Sequence, residues 1–188
     1  MPTHEKGNTT MSHVPLVDPA TATGTVQENL AQIEAAFGAT PAMFRAVANS
    51  PAALASMWGS FAAFGAGALG PALSEQIAVA VANRNSCDYC LAAHTALGRK
   101  AGLDDDALRA AQSGESDDAR TAALLRFVLQ LVEHRGQVGA GDVQQVRAQG
   151  WSEEEIVEAI GQVALNLYTN YVNIALDVPV DFPKVALR

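Results

Sequence analysis

The chain has 188 residues and a formal net charge of -8, with 49% apolar and only 17% charged residues. That length can bury a core of its own as a single domain. The negative balance repels phosphate backbones and anionic lipid, so nucleic acid and membrane surfaces are set aside as partners, and no run reaches the ~18 apolar residues of a membrane span.

Residues 1–24 are polar and lack the basic-then-apolar order of a secretion signal. They are expected to form an N-terminal tail, loose or draped over the surface of a cytoplasmic protein. Residues 25–188 are expected to form one helical domain, since alanine, the best helix former, supplies much of the apolar fraction. In chain order, "TVQENLAQIEAAFG" places Leu30, Ile33 and Phe37 on one face, with Gly38 to end the helix. "PAMFRAVAN" and "PAALASMWGSFAAFGAG" each begin at a proline suited to a first helical turn. "SEQIAVAVANRNS" follows and leads into "CDYCLAAHTALGRKAG", a helix beginning near Cys87.

Asp104 is placed to cap "DDDALRAAQ". "DDARTAALLRFVLQLVEHR" is amphipathic, with Leu124, Phe127, Val128 and Leu131 on its apolar side. Residues 136–150 read as a connection. After them "SEEEIVEAIGQVALNLYTNYVNIALDV" opens with a capping box, Ser152 to Glu155, and forms a long, kinked or straight helix ending before Pro179. The fold class is all-α, a single-domain helical bundle. A weak likeness between "SEQIAVAVANRNSCDY" and "SEEEIVEAIGQVALNLY" suggests two similar helical units, although chance explains it nearly as well.

Both cysteines and one histidine fall in "CDYCLAAH". On a helix, Cys87, Cys90 and His94 share one face. Residues three apart lie about 5–6 Å from each other, within the range a disulfide tolerates, so the pair can open and close without remaking the backbone. Cys87 in the first turn would face unsatisfied N–H groups and the positive end of the helix dipole, which favour a thiolate. His94 lies one turn from Cys90 and could take its proton. If "NRNS" turns the chain back, Glu75 faces the same pocket and orients His94 or accepts its proton.

Glu75, Cys87, Cys90 and His94, with the downstream "AGL", resemble the core motif of the alkylhydroperoxidase D-like proteins of the carboxymuconolactone decarboxylase superfamily. The C-terminal helix is similar to that of the members called peroxidase-related. The resemblance implies an all-helical fold, usually a trimer or hexamer, that reduces hydroperoxides through the cysteine pair. It implies that Cys90 attacks the peroxide, Cys87 resolves, and His94 with Glu75 forms the proton relay. A lipoyl- or thioredoxin-like dithiol would then reduce the disulfide, and no metal, flavin or haem is implied. Tyr89 stands where alkylhydroperoxidase D carries a histidine, which removes one relay member. The superfamily's decarboxylases lack the cysteine pair, so its presence argues against lactone decarboxylation.

Other readings stand beside this one. Cys87, Cys90, His94 and Glu75 could ligate zinc, or the cysteines could be inert and buried. A disulfide reductase without peroxidase activity is another. Glu75 could be a solvated first-turn glutamate that helps the helix dipole. Trp58, Phe61 and Phe64 repeat every three residues and read as core or subunit interface rather than pocket. Asn166, Asn170 and Asn173 form a polar stripe that satisfies helix contacts or an interface, with one asparagine a candidate for the pocket wall. His4, His13 and His134 have no convergent partners. "FAAFGAGALGPA" is suited to close helix contacts between subunits.

Overall fold

The computed structural model describes residues 12–188; the first eleven, His4 among them, lie outside the described residues. The helices run α1 Gly24–Phe37, α2 Ala42–Val47, α3 Pro51–Gly65, α4 Gly70–Arg84, α5 Asp88–Lys100, α6 Asp105–Gln112, α7 Ala119–Glu133, α8 Ala140–Ala148 and α9 Glu153–Ala175. Among the described residues there is no strand, and the architecture is all-α.

At the centre lies α4. Every residue from Gln76 to Ala82 is buried, because α5, α6, α7 and α9 all pack on it. A helix apolar around its whole circumference belongs inside a bundle. To one side α1 packs on α3, α2 bridges α3 and α9, and α8 lies on α7 and α9. The last two long helices are tied at their N-termini. Arg120 lies over the Trp151 ring at 3.5 Å from its centroid and donates to Glu155 Oε1 at 2.8 Å.

The expected helix ends hold with two corrections. The fourth helix begins at Gly70 instead of Ser74: Pro71 falls in its first turn, and Ser74 is already inside, its hydroxyl donating to the Gly70 carbonyl. Residues 136–150 contain a helix, α8, whose start is closed by the Gly139 N–H donating to Asp142 Oδ2 at 2.7 Å. Only Val146 of that helix is buried, too sparse an apolar face to register as a period. The capping box of α9 is present in both directions, and its twenty-three residues form one continuous helix. Although α4 and α9 pack on each other, α9 leads into an extended segment with no counterpart to α5.

Residues 12–17 run along the surface, tied by the His13 N–H to the Leu176 carbonyl and the Val17 N–H to the Arg45 carbonyl. The C-terminal segment returns across α2. There Asp181 accepts from the Ala42 N–H at 2.7 Å, and Phe182 meets the Tyr89 ring edge-on at 5.7 Å.

Candidate active site

The turn between α4 and α5 sets the site. Ser86 adopts a left-handed backbone, φ 55, which reverses the chain and lays α5 along α4. Cys87 is the N-cap of α5, one position earlier than a first-turn residue. Its Sγ accepts from the Cys90 N–H at 3.3 Å, so it meets the unpaired amides at the positive end of the helix. Cys87 and Cys90 are joined as a disulfide across that turn, with Cα atoms 5.3 Å apart. Both are deeply buried, at 1% and 2% exposure.

One turn further along α5, His94 Nδ1 lies 2.8 Å from Glu75 Oε2. Nδ1–H donates to the carboxylate, which leaves Nε2 as the ring's acceptor. Glu75 is inside α4 and half-buried, with 19% of its side chain exposed. It is therefore no solvated first-turn glutamate; the antiparallel packing of α4 on α5 aims it at the imidazole.

Cys90 and His94 line one small cavity of about 40 Å³, with Tyr89, Phe61, Phe182 and Asn173 on its walls. Cys87 lies behind Cys90 and is not part of this lining. Beyond His94 lies a larger chamber of about 310 Å³, lined by Glu75, Trp58, Phe61, Phe64, Gln162 and Asn166 among others. The aromatic repeat packs against the core, as expected, and its outer side is also chamber wall. Phe61 and His94 belong to both cavities.

Asn173 is the site residue that motif spacing did not single out. It comes from α9, buried, and its Nδ2 donates to Cys90 Sγ at 3.2 Å. The available signal was the Asn166–Asn170–Asn173 stripe: amides repeating at helical spacing in an otherwise apolar helix mark a buried polar face. Tyr89 is clamped in place, its hydroxyl accepting from the Met43 N–H at 3.3 Å. Burial pushes that hydroxyl far above its ordinary value, and the negative charge of Asp181 adds to the effect. It stays neutral, a post in the wall where a histidine would have titrated.

Among the described residues no group of three or more histidine, cysteine, aspartate or glutamate side chains is arranged to hold a metal ion. His13 bonds the Ala175 carbonyl at 3.0 Å, away from the cysteines, and His134 is exposed. No described helix is long and apolar enough to cross a membrane.

The sequence model of the carboxymuconolactone decarboxylase family matches residues 49–134, the stretch that carries Glu75, both cysteines and His94. No curated protein matches the sequence. Among solved structures, the chain is similar to an alkylhydroperoxidase AhpD core, a peroxidase-related protein from Ralstonia eutropha JMP134, with a TM-score of 0.82 at 20% identity over 90% of this chain and 92% of that one. A peroxidase-related protein from Silicibacter sp. TM1040 gives 0.77 at 22% identity, over 92% and 90%. The debrominase Bmp8, solved with 2,3,4-tribromopyrrole, gives 0.76 at 18% identity, over 91% and 94%. At these identities the likeness is one of fold. With that fold shared over nearly the whole chain and the family match falling on the helices around the cysteine pair, the chain has the fold of the alkylhydroperoxidase AhpD core and resembles the carboxymuconolactone decarboxylase family over residues 49–134.

Proposed function

We propose that the protein is a thiol peroxidase that reduces hydroperoxides through Cys90 and Cys87. The observation that carries this reading is the division of labour between the sulfurs: Cys90 faces the cavity beside His94, while Cys87 sits one turn behind it. In the reduced protein, Nε2 of His94 takes the Cys90 proton, and Glu75 stabilises the imidazolium through Nδ1. The thiolate attacks the terminal peroxide oxygen. An S–O bond forms, the O–O bond breaks, and the departing alkoxide takes the proton from His94. The Cys87 thiol then displaces water from the Cys90 sulfenic acid and closes the disulfide. An external dithiol, lipoyl- or thioredoxin-like, reopens it by exchange.

Such turnover needs a compartment that keeps dithiols reduced, which fits a cytoplasmic location. We also read the protein as a homo-oligomer, a trimer or hexamer. In support, α9 exposes Val157, Ile160, Tyr171 and Ile174.

A second reading has one observation behind it. The walls of the Cys90 cavity are largely aromatic, including Phe37, Phe44, Phe61 and Phe182, which suits a flat organic ligand, and the debrominase shares the fold. There the thiolate would attack bromine, the carbanion would take the His94 proton, and Cys87 would displace bromide.

One experiment tests both: single-turnover oxidation of reduced wild type, Cys87→Ser, Cys90→Ser and His94→Gln by a hydroperoxide and by tribromopyrrole, with mass analysis of the trapped cysteine. Cys90→Ser is expected to be inert and Cys87→Ser to stop at a sulfenic acid. His94→Gln is expected to slow by about ten-fold or more at pH 7 and much less at pH 9, as the thiol returns towards about 8.5. Unchanged oxidation of Cys90→Ser would sink the assignment of the attacking sulfur. Bromide release without peroxide consumption would select the second reading.

A further inference from the structure

The buried amides of α9 differ in what they bond. Gln162 Nε2 donates to Ser74 Oγ at 2.9 Å, and Asn166 Nδ2 donates to the Gln162 carbonyl at 2.9 Å. Asn170 accepts from Asn85 Nδ2 at 2.8 Å, which ties α9 to the end of α4. The first and the last tie α9 to α4, and Asn166 bonds within its own helix. Asn173 differs from all three. Its Nδ2 donates to the sulfur of Cys90, and its Oδ1 is buried with no hydrogen-bond partner. Asn170 also has a spare atom, Nδ2, but it is not part of the cavity wall, whereas Asn173 is.

A buried acceptor with no partner costs the desolvation of that group, and an apolar residue of the same shape would avoid the cost. Such an atom in the wall of a reactive cavity calls for a partner that arrives with the substrate. A donor at a sulfur likewise gains most when the sulfur is an anion, because charge-assisted hydrogen bonds are about twice as strong as neutral ones.

We propose that Asn173 is a catalytic residue of this site: its Nδ2–H holds the Cys90 sulfur as a thiolate, and its Oδ1 accepts the hydrogen of the incoming hydroperoxide's terminal O–H. That hydrogen stays on the oxygen transferred to sulfur, so Oδ1 keeps the same bond as the O–O bond breaks and the Cys90 sulfenic acid forms. The alkoxide leaves towards His94, which supplies its proton. Asn173 and His94 thereby act at the two different oxygens of one peroxide. The substrate class follows: hydrogen peroxide and monosubstituted hydroperoxides, which carry the O–H, are favoured over dialkyl peroxides, which do not. The donor role stands on the sulfur contact alone; the acceptor role rests on the thiol-peroxidase reading above.

The test uses the full chain with Cys87→Ser, so that a single thiol titrates. Thiolate absorbance against pH is followed in this parent and with Asn173→Ala or Asn173→Asp added, each checked by circular dichroism. Asn173→Asp is nearly isosteric and decides the point if the alanine variant folds poorly. The midpoint is expected to rise by about one unit for alanine, a ten-fold smaller thiolate fraction near neutral pH, and further for aspartate, whose charge faces the sulfur. An unchanged midpoint in the folded variants overturns the donor role. Oxidation by tert-butyl hydroperoxide is then compared at about pH 9.5, where ordinary thiols are mostly ionised. Asn173→Ala is expected to remain several-fold slower than the parent, and equal rates overturn the acceptor role. If the parent itself does not react with hydroperoxides, the peroxidase reading and the acceptor role fall together, and the titration still decides the donor role.

Discussion

Helices α7 and α9 pack against the same central helix and are built on opposite plans. The inward face of α7 is apolar, with Leu124, Leu125, Phe127, Val128, Leu129 and Leu131 buried, while Arg126 and Glu133 point to solvent. On α9, Gln162, Asn166, Thr169, Asn170 and Asn173 are buried among apolar neighbours, and from Val157 to Ala175 every exposed side chain is apolar or aromatic. Burying amides is unfavourable unless each finds a partner, and exposing a run of large apolar residues is unfavourable unless something covers it. One helix therefore follows the pattern that stability favours, and the other reverses it on both faces.

The largest test of that contrast is in the core. Phe127 is 1% exposed, and Phe127→Ala is expected to cost about 3–5 kcal/mol through lost burial and the cavity left behind. Asn173→Ala removes an unsatisfied atom and one hydrogen bond, and is expected to cost under about 1 kcal/mol while changing the cysteine chemistry. Urea unfolding monitored by circular dichroism measures both. A larger loss at Asn173 than at Phe127 would break the comparison.

The outward face of α9 supplies the next test. Tyr171 is 62% exposed and Ile160 is 42% exposed. If other subunits cover them, each contributes up to about 1.5–3 kcal/mol to association. The double variant Ile160→Lys, Tyr171→Lys is then expected to weaken assembly by about two orders of magnitude or more. Sedimentation at micromolar concentration should show an oligomer for wild type and a monomer of unchanged helicity for the variant. A wild-type monomer would leave this face without the partner proposed for it.

The same contrast governs what the sequence makes legible. The plan of α7 is visible at once, because Leu124, Phe127, Val128 and Leu131 repeat at helical spacing. Caps were equally readable: Asp104, and the Ser152–Glu155 box, act where their side chains predict. The geometry of the cysteines and His94 was legible because all three lie on one helix of fixed pitch. Glu75 required a turn that depends on Ser86 entering the left-handed region, a conformation that residue type alone does not announce. Asn173 was harder still. Its meeting with Cys90 depends on how α9 crosses α5, a long-range packing outcome, and a polar stripe by itself does not say which side is buried. The helix α8 escaped for the opposite reason, since with one buried residue its sequence carries almost no period.

The smallest effect is expected at the two N-termini, where the plans of α7 and α9 converge. Asp118 caps α7, accepting from the Thr121 hydroxyl at 2.6 Å and the Thr121 N–H at 2.8 Å. The Thr121 side-chain hydrogen bond, followed by the backbone one, holds its carboxyl below the ordinary value. For Glu155 partial burial pushes upward, but the Ser152 N–H and the Arg120 guanidinium together outweigh it, and its carboxyl also lies low. A carboxyl whose folded value is depressed takes up protons more readily when unfolded, so stability increases with pH through that window. Both contributions are complete above the ordinary carboxylate range and are lost as pH falls through the folded values. Asparagine caps a helix about as well as aspartate but does not ionise, so Asp118→Asn with Glu155→Gln should forgo the charge-dependent part of the stability at pH 7 and with it part of the acid sensitivity. Thermal midpoints at neutral and acidic pH measure this directly: the wild type should lose more on acidification than the double variant. Equal losses would mean that neither cap carries pH dependence, and that acid acts on the bundle elsewhere.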